Sequence, residues 1–116
     1  MSPLISAADL DRYRELLFTV KIDEKIVQYV TSLHAESQTH PSLLAGLSAR
    51  AGLHVLTAAR ASAAVSGRDF VTPDDVRGIS FAVLAHRLFL KPDAEFEGLT
   101  KKNLLDQIFD RVPVPK

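Results

Sequence analysis

The chain has 116 residues, of which 47% are hydrophobic, with 14 lysines and arginines balanced by 14 acids and no cysteine. That length suits one domain able to bury roughly two-thirds of its unfolded surface unaided. Zero formal charge excludes a global pull on nucleic acid or anionic membranes, and the missing cysteines exclude disulfides and thiolate metal sites, which favours a cytoplasmic protein.

The first predicted helix is SAADLDRYRELL, 6–17. Ser6 is its cap, and Leu10, Tyr13 and Leu17 share a side. The short apolar segment FTVKI reads as extended. The second helix, DEKIVQYVTSLHAES, spans 23–37. Asp23 caps it, Ile26, Val30 and Leu33 form its apolar stripe, and Val27 widens that stripe. Pro41 ends the region by restricting His40.

The third helix, 48–67, is long and rich in alanine, which lets neighbours approach closely and makes it central. Its stripe is Ala51, Val55, Ala58, Ser62 and Val65, extended by Leu56, Ala59 and Ala63, with Gly67 as a left-handed stop. TPDDV starts the fourth: Thr72 caps, Pro73 takes the first position, and Asp74 and Asp75 favour the helix start. Gly78 and Ser80 suggest a break, with a further helix, FAVLAHRLFL, from residue 81. KPDAEFEG reads as loop or hairpin. Thr100 caps a last helix, KKNLLDQIFD, with Leu104, Leu105 and Ile108 inward, and the tail RVPVPK is too proline-rich to continue it. The expectation is an all-α bundle of five or six short helices with at most a minor β hairpin, as a single domain over 1–116.

The chemistry-bearing residues are sparse. There is no GxxxxGK[ST] loop and no HExxH. The histidines at 34, 40, 54 and 86 never recur at i+3 or i+4, so no metal site is expected. GLSAR lacks the last glycine of a nucleophile elbow. Asp74 and Asp75 read as helix-start acids, not an acid–base pair. The charges of GRD, at 67–69, and of Lys101 and Lys102 read as solvated.

GLSARAG, 46–52, is different. Ser48 caps a helix and Gly46 allows the turn before it, yet Arg50 places a cation in the first turn, where unpaired N–H groups already point outward. Three explanations stand open: an exposed, tolerated charge, an ion pair with an acid such as Glu36, or contact with an anion that also uses the helix start, such as a phosphate.

THPSLLAGLSARAG, LTAARASAAVSGRDFVTPDDV and VLAHRLFL, at about 38–90, together resemble the C-terminal helical lid of MoxR-type AAA+ ATPases. VKIDEKIVQYVTSL and the closing VPVP fit its flanks, so the resemblance covers nearly the whole chain. It implies that the arginine of GxSxR, Arg50, is the sensor 2 residue that reaches the nucleotide phosphates, with Ser48 and Gly46 aiming it. Leu47 and Ala49 stand where the family often has Ala and Pro. It further implies ATP with magnesium in a parent protein, none bound to this chain alone. The nucleotide-binding large subdomain would lie elsewhere in that parent. Other implied partners are neighbouring subunits of a ring, as a hexamer, and a client protein, in some cases with a von Willebrand A domain. No nucleic acid or membrane is implied. Two alternatives remain at this stage: a stand-alone helical interaction module without nucleotide, and a histone-like DNA-binding fold suggested by VTPDDV.

Overall fold

The computed structural model describes residues 7, 8, 11, 12, 15 and 19–115. Positions 7, 8, 11, 12 and 15 are helical, within the span expected for the first helix; Leu10, Tyr13 and Leu17 lie outside the described residues. Thr19 is helical too, so FTVKI is not an extended segment throughout. Five further helices have described bounds: α1 (Glu24–Thr39), α2 (Ala49–Val65), α3 (Pro73–Leu84), α4 (Pro92–Phe96) and α5 (Lys101–Arg111). A 3-10 turn, Ala85–Arg87, follows α3. Among the described residues there is no sheet and no hairpin, only two isolated bridges, Lys21 with Phe70 and Leu43 with Leu90. The fold is all-α.

The central pair is α2 on α3. The buried stripe of α2 is Ala51, Val55, Ala59 and Ala63, an i+4 row; Val65, expected inward, is 78% exposed. The row drifts around the helix because four residues exceed the 3.6 of one turn. The small side chains let α3 sit close. Ala59 has no exposed surface, so Ala59→Leu should overpack this seam and destabilise the chain by about 1–3 kcal/mol, read as a lower urea midpoint.

Helix α2 stops where glycine permits it. Gly67 has φ +79°, its N–H donates to Ala64 O at 3.0 Å, and Arg68 N–H donates to Ala63 O at 3.0 Å. This paired pattern satisfies two end carbonyls through a left-handed residue.

Helix α3 corrects the expected break. It runs through Gly78 and Ser80, because Val76, Ser80 and Leu84 are buried on one side and the Ser80 hydroxyl bonds back to Val76 O. Burial of that row outweighs the ~1 kcal/mol that an exposed helical glycine costs. KPDAEFEG likewise forms one helical turn, α4, ended by Gly98 at φ +92°.

Helix α1 buries Ile26, Val30 and Leu33 as expected, together with Tyr29, whose phenol pKa burial pushes up. Val27 is 41% exposed and does not widen the buried stripe. Tyr29 meets Phe109 of α5 with ring centroids 6.2 Å apart, and Leu104, Leu105 and Ile108 of α5 are buried as expected.

Candidate functional site

The start of α2 is built by capping. Ser48 has extended backbone (φ −78°, ψ 161°) and its Oγ accepts from Ala51 N–H at 3.2 Å, which satisfies one of the open donors of the first turn. Arg50 follows two residues later, exposed. Among the described residues it makes no ion pair and no side-chain hydrogen bond. The pairing with Glu36 does not form: Glu36 lies 3.8 Å from Arg111 of α5 instead. An exposed cation without an acid beside it is left at a helix end that already favours anions.

The connection from α1 to α2 is held at many points. The His40 ring is buried. Its Nδ1 accepts from Ser42 N–H at 3.1 Å and its Nε2 lies 3.1 Å from Gln107 Oε1, which fixes one neutral tautomer with the proton on Nε2. Ser42 O accepts from Lys91 N–H at 2.8 Å, and Leu44 N–H donates to Phe89 O at 2.8 Å. Leu47 is a buried anchor, and both of its backbone groups are taken by α1. Its N–H donates to Ser37 Oγ at 3.1 Å, and its C=O accepts from Gln38 Nε2 at 2.6 Å.

Gly46 serves this turn for a different reason than backbone freedom. Its φ is not in the left-handed region; a Cβ there would lie 2.5 Å from the Gln38 side-chain amide. The glycine makes room for the group that holds Leu47.

Sequence reading did not single out Ser37, Gln38 or His40 as parts of this turn. One signal was present. Ser37 continues the buried register of Ile26, Val30 and Leu33, where a polar residue needs a partner.

The structure places the other candidates elsewhere. Asp75 is a buried cap: its Oδ2 accepts from Thr72 N–H at 2.8 Å while Thr72 Oγ1 accepts from Asp75 N–H at 3.3 Å. Arg68, expected to be solvated, binds Asp75 through two bonds of 2.8 and 2.6 Å. Asp74 is exposed in the first turn of α3. Arg87 Nη2 lies 2.7 Å from His54 Nδ1, so a neutral His54 accepts from it. No group of three metal-binding side chains occurs among the described residues, and no helix there is long and apolar enough to cross a membrane.

An apolar groove runs between α1 and α2. Val27, Val30 and Thr31 line one wall, and Ala49, Leu53 and Leu56 the other; Leu53 is 63% exposed. Arg50 borders it by helical spacing, three residues before Leu53.

Residues 35–108 match the AAA lid domain family. Chaperone MoxR1 of Mycobacterium tuberculosis is 30% identical over 122 residues, an alignment that covers 97% of this chain and 32% of that protein. The uncharacterised protein YeaC of Bacillus subtilis is 31% identical over 115 residues, 99% of this chain and 36% of YeaC. A crystal structure of a candidate ATPase from Cytophaga hutchinsonii superposes with a TM-score of 0.86 at 26% identity, over 94% of this chain and 36% of that one. The chain thus spans about a third of the length of these relatives. On this match and these relatives, the chain belongs to the AAA lid domain family, among the lids of MoxR-type AAA+ ATPases.

Proposed function

We propose that residues 1–116 form one lid domain of a longer ATPase and that Arg50 is its sensor 2 arginine, reaching the phosphates of ATP. The observation that carries this reading is the exposed guanidinium, partnerless among the described residues, at the start of a helix whose entry turn is pinned on both sides. A solvated cation there is locally disfavoured by ~0.3–1 kcal/mol, and a polyphosphate brought up by a second domain reverses that sign.

The division of labour follows from what this chain has and lacks. It offers Arg50 at a capped helix start. It has no phosphate loop, so the nucleotide-binding domain of the same parent would hold ATP with magnesium, and the groove of Val27, Leu53 and Leu56 is surface that domain can cover. Arg50 would then stabilise negative charge on the transferred phosphoryl group, an interaction strongest when water is excluded. Loss of the terminal phosphate weakens the contact and frees the lid to turn. In a ring of such subunits, a hexamer, that turn passes to the neighbour and so to a client protein, including clients with a von Willebrand A domain. The setting is the cytoplasm.

The purified 116-residue chain should bind ATP very weakly and hydrolyse none, because one arginine lacks the cradle of backbone N–H groups that holds a polyphosphate. Steady-state phosphate release checks this; robust turnover by the chain alone would refute the lid reading.

A further inference from the structure

We propose that Gln38 of α1 is a positioning residue for Arg50, a role that rests on the phosphate-contact reading above. The Gln38 amide nitrogen donates to Leu47 O at 2.6 Å and lies 3.2 Å from His34 Nε2, so its two protons have two acceptors. The opposite orientation would set the Gln38 carbonyl oxygen against the Leu47 carbonyl, so the network admits one orientation.

The consequence for Arg50 is geometric. Leu47 immediately precedes the cap residue Ser48, and Arg50 is two residues beyond the cap. With the Leu47 N–H held by Ser37 and its C=O held by Gln38, the peptides on both sides of Leu47 are fixed against α1. Ser37 is buried and its hydroxyl donates to His34 O at 2.6 Å, which leaves its lone pairs for Leu47. Gly46 completes the device, since any larger residue would drive into the Gln38 amide. Gln38 and Gly46 are therefore a matched pair. Gln38 is itself exposed, so the aim of α2 depends on a residue whose removal leaves the core intact.

The test is a kinetic cycle in the full ATPase with native protein, Gln38→Ala, Arg50→Ala and the double variant, reading kcat and KM. A contact displaced by about 1 Å loses on the order of 10–100-fold in rate. Gln38→Ala should therefore lower kcat about tenfold or more in the native background. In the Arg50→Ala background it should change kcat by less than about twofold, because nothing remains to aim. A merely structural residue would lower turnover in both backgrounds alike, and that result would overturn the proposal. So would a strong loss from Arg50→Ala beside no loss from Gln38→Ala. If Arg50→Ala itself is silent, the phosphate-contact reading fails and takes this role with it. Gly46→Ala provides the second probe: it should lower kcat when Gln38 is present and have little further effect once Gln38 is alanine. An undiminished Gly46→Ala effect in the Gln38→Ala background would contradict the matched pair.

Discussion

Asp75→Ala should lower the stability of this chain by about 3 kcal/mol, seen as a large drop in the urea midpoint with an unchanged slope. Five contacts converge on that carboxylate. Arg68 supplies two bonds of 2.8 and 2.6 Å, Thr72 supplies its N–H at 2.8 Å and its hydroxyl at 3.0 Å, and the Ser62 hydroxyl lies at 3.4 Å. The Asp75 side chain is 4% exposed and that of Arg68 is 30% exposed. Removing the acid leaves Arg68 to recover part of its hydration, so the loss falls at the lower end of the ~3–5 kcal/mol seen when a buried pair is broken. It also removes half of the capping box of α3, the helix packed on the central α2. Asp75→Asn keeps the size and one acceptor and should lose less. A midpoint unmoved by Asp75→Ala would show that α3 does not depend on this network.

Arg50→Ala should leave the melting temperature nearly unchanged yet reduce ATP turnover by the full protein about 10²–10³-fold. The two outcomes separate because Arg50 is exposed and unpartnered among the described residues, so folding gains little from it. Arg50→Lys keeps the charge without the planar fork and should restore only part of the rate. Turnover unchanged by Arg50→Ala would remove this residue from the phosphate contact.

The helices were legible wherever a cap and a periodic face agreed. Asp23, Thr72 and Thr100 each begin the helix they announce, and Gly67 ends α2 in the left-handed conformation its position suggested. Local signals misled where packing overrode them. Gly78 and Ser80 weaken a helix in isolation, but the buried row of Val76, Ser80 and Leu84 carries α3 through them. Val27 and Val65 are apolar and lie near the stripes of their helices, yet both are exposed, because composition does not say how far a buried face extends. Arg68 looked like an ordinary surface charge, since its distance to Asp75 depends on the tight turn after α2.

At the candidate site, the Ser48 cap and the place of Arg50 in the first turn of α2 were readable because capping and charge placement are local. Of the supports from α1, the register marked only Ser37 as a buried polar group; its partner and that of Gln38 were not readable, since both reach Leu47 only after α1 and α2 fold back on each other. Gly46 shows the same limit. Its need for space comes from a side chain eight positions earlier, and no inspection of its own turn reveals that.

The most direct test of the sensor assignment is a structure of the full ATPase with a non-hydrolysable ATP analogue and magnesium. The account predicts an Arg50 guanidinium nitrogen about 2.7–3.2 Å from an oxygen of the terminal phosphate, with the Leu47 turn still bound to Ser37 and Gln38. An Arg50 that stays in solvent, or that pairs with a carboxylate while another cation occupies the phosphate, would contradict it.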